Sequence, residues 1–124
     1  MKRDSLRSLI WMVDPMERDL IQLIMRRLGL QPQVVHDLSS LSHHLEADDP
    51  VAIILDQVLP GANALDLIKQ IKEQMGSNSP GTLVFSTLAF VDVINKAREM
   101  GVDEFLVKPI EINNLFKILV KYLK

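Results

Sequence analysis

Val51-Ala52-Ile53-Ile54-Leu55-Asp56 is an unbroken apolar run closed by a single carboxylate. A strand with one wet face alternates apolar and polar residues. A run without alternation is expected where both faces are covered, as in a parallel sheet between two layers of helices. Leu9-Ile10-Trp11-Met12-Val13 upstream has the same character, with Trp11 read as packing, and it is followed at once by Asp14. Downstream, Thr82-Leu83-Val84-Phe85 ends in Ser86, and Phe105-Leu106-Val107 ends in Lys108-Pro109. Gln33 to His36 supplies a further short strand.

Longer amphipathic segments separate these runs. Met16, Leu20, Leu23, Ile24 and Leu28 recur at helical spacing, with Asp14 as expected N-cap, Pro15 at the first helical position and Glu17 at the third. Leu38, Leu41 and Leu45 mark a brief second helix, and Asn63 opens a third carrying Leu65, Ile68, Ile71 and Met75. Phe90, Val93, Ile94, Ala97 and Met100 form a fourth stripe, and Ile112, Leu115, Ile118, Leu119, Tyr122 and Leu123 a fifth. Five strands alternating with five helices imply right-handed crossovers and an α/β fold, a doubly wound five-stranded parallel sheet. Ligands on such sheets bind beyond the carboxyl ends of the strands. That rule brings Asp14, Asp56, Ser86, Thr87 and Lys108 to one rim.

A length of 124 residues fits one domain, 1–124, with a sizeable core. The absence of cysteine excludes disulfides, thiolate metal sites and thiol nucleophiles. Fourteen Lys plus Arg against sixteen Asp plus Glu leave a formal charge of −2, which disfavours direct nucleic-acid binding. No apolar run is long enough to span a bilayer, and Met1-Lys2-Arg3-Asp4 lacks a signal peptide's apolar segment, so a cytoplasmic protein without membrane contact is expected. The turn from Met12 to Glu17 has no glycine, which argues against a phosphate-cradling loop and hence against a flavin- or nucleotide-dependent enzyme. His36, His43 and His44 have no metal spacing with carboxylates and read as surface residues.

Over residues 9–123 the chain resembles the receiver domain of two-component response regulators, the CheY-like module that accepts phosphate from a histidine kinase. The resemblance rests on Asp56 with Val58-Leu59-Pro60-Gly61, on Ser86, and on Gly101-Val102-Asp103-Glu104-Phe105-Leu106-Val107-Lys108-Pro109. It implies strand order 2-1-3-4-5, Asp56 as phosphoacceptor, Lys108, Ser86 and Thr87 around the phosphoryl group, and Phe105 as a switch aromatic. It also implies a cis Lys108-Pro109 bond and no enzymatic activity beyond self-phosphorylation at Asp56. The implied partners are a histidine kinase or phosphotransfer protein and a downstream signalling protein. The downstream protein, or a second copy in a homodimer, would meet the face of the fourth helix, fifth strand and fifth helix, near Phe90, Arg98, Glu99, Phe105 and Glu111.

The family's Mg²⁺ site departs from the pattern. Where relatives carry two adjacent acids at the end of the first strand, this chain has Met12 and Val13, and neither offers the hard oxygen that Mg²⁺ demands. The remaining candidates are Asp14, Asp56 and the Val58 carbonyl. Counting Asp56 against Lys108 gives a rim that is neutral without metal, so no firm cofactor and slow or absent Mg²⁺-dependent phosphorylation are expected. The alternative is a working phosphoacceptor at Asp56. Ala64 replaces the family's usual glycine, Thr87 stands where a small residue is usual, and Val58 and Leu88 are apolar where relatives guide water.

Overall fold

The computed structural model describes residues 6–123, so Met1 to Asp4 lie outside the described residues. Strands β1 (Arg7–Trp11), β2 (Gln31–Val34), β3 (Ala52–Asp56), β6 (Gly81–Ser86) and β7 (Glu104–Val107) form one sheet. Its order is β2-β1-β3-β6-β7 and every pairing is parallel. Counted along the chain these are the expected five strands in order 2-1-3-4-5. Two further strands, β4 (Val58–Leu59) and β5 (Ala62–Asn63), make a small antiparallel ribbon beyond Asp56, which the sequence reading did not contain.

Alternation along the strands sorts the core into two layers. Ile10, Met12, Ile54, Leu83 and Phe85 point to one side and meet Ile21, Ile24 and Met25 of α1 (Pro15–Arg27) and Leu115, Ile118 and Leu119 of α5 (Ile112–Val120). Leu9, Trp11, Ile53, Leu55 and Val84 point to the other. There they meet Leu41 of α2 (Leu38–Asp48), Leu65, Ile68 and Ile71 of α3 (Ala64–Met75), and Ala97 of α4 (Val91–Glu99). All five residues of β3 are buried, which is why its sequence shows no period.

Several boundaries differ from the sequence reading. β1 ends at Trp11 rather than Val13, and β2 begins at Gln31 rather than Gln33. Pro32 lies within β2, tolerated because β2 is at the sheet edge. Asp14 caps α1 by accepting from the Met16 N–H at 2.8 Å, and Asn63 caps α3 through the Leu65 N–H at 2.9 Å. His44, read as a plain surface residue, sits 2.8 Å from Asp48 one turn along α2. Among the described residues no helix is long and apolar enough to cross a membrane.

At the amino ends of the strands, Asp103 Oδ2 accepts from the Thr82 N–H at 2.9 Å and from Lys72 Nζ at 3.0 Å, joining β6, β7 and α3. Nearby the Tyr122 ring lies so close to Gly81 that a Cβ there would collide with it. The Tyr122 hydroxyl donates to Glu104 Oε2 at 3.1 Å. Burial, with the charge of Glu104 and this hydrogen bond, pushes the phenol well above its ordinary value. The folded state therefore holds the phenolic proton more tightly than the unfolded state does. Its contribution is complete below about pH 10 and is lost as pH rises from there toward the folded value. We expect Tyr122→Phe to cost about 1 kcal/mol at pH 7.5, the worth of one hydrogen bond to a charged acceptor less the burial gained. In urea titrations the gap to wild type should close above about pH 10.5; a gap constant to pH 11.5 would contradict this role.

Candidate functional site

β3 carries Asp56 to the carboxyl rim of the sheet, where its side chain is 7% exposed. Parallel pairing of Trp11 with Leu55 sets the end of β1 beside it, and the Val13 N–H donates to Asp56 Oδ2 at 2.7 Å. On the other side, β6 and β7 deliver Lys108, whose N–H donates to the Ser86 carbonyl at 2.8 Å. Its Nζ stands 2.7 Å from Asp56 Oδ1. The Lys108-Pro109 bond is cis. Asp56 and Lys108, 52 positions apart, thus form a directly hydrogen-bonded ion pair at the rim.

Lys108 has a second partner that the sequence reading assigned elsewhere. Glu17, expected to serve only the amino end of α1, reaches across to Lys108 Nζ at 2.8 Å. Burial draws the Lys108 ammonium down, but hydrogen bonds and charge from Asp56 and Glu17 outweigh this and hold it above its ordinary value of 10.5. The neutral count of the rim is corrected accordingly. Two carboxylates share one ammonium, and the cluster carries −1.

The other sequence-predicted residues fall around this pair. Ser86 is buried, and its Oγ accepts from the Leu88 N–H at 2.9 Å, so the hydroxyl oxygen serves a local turn. Thr87 is exposed and, with Val13, Val58, Leu88 and Ser86, lines an open cleft of about 220 Å³ over Asp56 and Lys108. Val58 belongs to the β4-β5 ribbon and is 72% exposed. Asp14 is exposed, with Oδ1 committed to its cap. Met12 is 2% exposed and packs beneath the α1 and α5 layer, whereas Val13 is half-exposed over the cleft. Phe105 lies in β7 half-buried against the α2, α3 and α4 layer. Among the described residues no three His, Asp or Glu side chains are grouped as metal ligands would be.

A five-stranded parallel sheet in this order, with an aspartate and a lysine paired across its carboxyl rim, defines the receiver class of α/β domains. The profile of the response regulator receiver domain matches residues 13–120, and the chain belongs to that family. Among curated proteins it is 28% identical, over 74% of its length, to the phosphate regulon transcriptional regulatory protein PhoB of Escherichia coli (strain K12), of which it covers 40%. It is 26% identical, over 90% of its length, to the DNA-binding response regulator MtrA of Mycolicibacterium smegmatis, of which it covers 49%. The chain thus spans less than half the length of these relatives. A response regulator receiver domain from Bermanella marisrubri superposes with a TM-score of 0.84 at 24% identity, covering 97% of this chain and 99% of that one.

Proposed function

We propose that this domain is a divergent receiver that signals through protein–protein contacts, with little or no Mg²⁺-dependent phosphorylation at Asp56. The observation that carries this reading is the state of the Asp56 carboxylate. One oxygen is held by the Val13 N–H and the other by Lys108. The adjacent positions offer a buried thioether and an isopropyl group, which suit no hard cation. The donor set present does not fit Mg²⁺. Thr87, Ser86 and Lys108 remain the groups that would face a phosphoryl group on Asp56, and Phe105 the aromatic that would respond to it.

The partners we propose are a histidine kinase or phosphotransfer protein on the Asp56 side, a downstream signalling protein on the α4-β7-α5 side, and a cytoplasmic setting. Support for the second surface comes from its exposed apolar residues. Phe90 is 64% and Val91 73% exposed at the start of α4. Ile112, Phe116 and Val120 lie one turn apart on the outer side of α5, opposite its buried Leu115 and Ile118. Arg98 and Glu99, near the end of α4, are also exposed, while Glu111 caps α5 through the Asn113 and Asn114 N–H groups. The same face would serve a homodimer.

A second reading, a working phosphoacceptor, is favoured by one observation. With Glu17 included the cluster is anionic, which would still attract a cation. Intact-mass spectrometry after incubation with acetyl phosphate and Mg²⁺ decides between them. We expect the unmodified mass to persist; a stoichiometric phosphoryl adduct lost in Asp56→Asn would establish the second reading.

A further inference from the structure

Glu17 is the one member of the cluster that enters from α1, and its carboxylate is bonded to the same ammonium that binds Asp56. An ammonium has three N–H donors, so two are committed and one is left for any incoming anion. We propose that Glu17 is an internal competitor: its carboxylate occupies Lys108 and its charge repels a phosphoryl-like oxyanion approaching Asp56, so that α1 sets how readily the site accepts one. The proposal rests on reading Asp56 and Lys108 as a receiver's phosphoryl site, and it deepens that reading by naming what restrains it.

The geometry favours competition over a purely local role for Glu17. A capping-box glutamate folds back on its own helix start. Here the Glu17 side chain instead spans 91 positions of sequence, at 2.8 Å and only 21% exposed, where screening by water is reduced. An anion added beside Asp56 must share Lys108 with this carboxylate or displace it. Displacement would free only the Glu17 side chain, since the Asp14 cap and the Arg18 N–H to Asp14 carbonyl bond hold the first turn of α1 independently.

The test titrates beryllofluoride, with and without Mg²⁺, into wild type and Glu17→Gln, following the backbone amides of Val13 and Thr87 by NMR. We expect Glu17→Gln to bind it about fivefold more tightly or better, the worth of one half-buried charge, under both conditions. Equal affinities would overturn the proposal. So would the absence of binding in both proteins, since removing the competitor should uncover the site. Should Glu17→Gln fail to fold, Glu17→Asp keeps the charge at the positive end of α1 but is one methylene too short, and it is expected to shift affinity in the same direction; wild-type affinity there also overturns the proposal. Tight Mg²⁺-dependent binding by wild type would defeat the proposed weak phosphorylation while leaving the wild-type to Glu17→Gln ratio as the separate measure of competition.

Discussion

Replacing Lys108 with Met is expected to destabilise the fold by about 3 kcal/mol, more than neutralising its partner Asp56 does. The argument is one of burial. Asp56 is 7% exposed and Lys108 20%, so removing the ammonium strands a carboxylate with only the Val13 N–H to satisfy it. A buried charge left without its partner costs roughly 3–5 kcal/mol, and the partial exposure of the pair places this case at the lower end. Glu17, freed at the same time, stays in the first turn of α1, where the positive end of the helix favours its charge and limits the cost. Asp56→Asn differs. The amide oxygen still accepts from one donor, and Lys108 keeps Glu17, so about 1 kcal/mol is expected. Urea midpoints at constant slope measure both. The reverse order would mean that Glu17 does not hold the lysine.

The pH dependence gives the same pair a second signature. Lys108 is held above 10.5 in the folded state, so its stabilising effect is complete below that value and fades as pH rises through the folded value. The difference between wild type and Lys108→Met should therefore be flat from pH 7 to about 10 and shrink above it. The alkaline loss at Tyr122 is common to both proteins and cancels in this comparison.

The sheet was legible because covering both faces leaves an unmistakable trace. Val51-Ala52-Ile53-Ile54-Leu55 has no polar interruption, and the helices between strands repeat at a different period. The pairing of Asp56 with Lys108 was legible for the same reason, since strand ends fix which residues share a rim. Glu17 was not, because the beginning of a helix is where an acid is expected on local grounds alone. Nothing in the residues around Glu17 distinguishes an acid serving the helix dipole from one reaching a lysine 91 positions away. The β4-β5 ribbon was missed because two-residue strands around Pro60-Gly61 show no periodicity, and Gly61 at φ 71° looks like any loop glycine. Met12 and Val13 looked equivalent in sequence, yet one packs in the core and the other lies over the cleft.

That last difference governs what it takes to give this site a metal. A carboxylate at Met12 would be placed in the apolar layer beneath α1 and α5 and would cost several kcal/mol in desolvation, about the margin of a small domain. A carboxylate at Val13 would not, since that side chain is 51% exposed and already lines the cleft over Asp56. Val13→Asp takes the cluster from −1 to −2 and adds a hard oxygen donor beside Asp56. A unit charge about 4 Å from a cation near the surface is worth several kcal/mol before desolvation is subtracted. Mg²⁺ affinity is therefore expected to rise by roughly tenfold to a hundredfold, and phosphorylation by acetyl phosphate to become Mg²⁺-dependent. Calorimetric titration with Mg²⁺ and intact-mass spectrometry read the two effects separately. If wild type binds Mg²⁺ as tightly as Val13→Asp, then Asp56, Glu17 and backbone oxygen already suffice, and the missing acid is not what restrains the site.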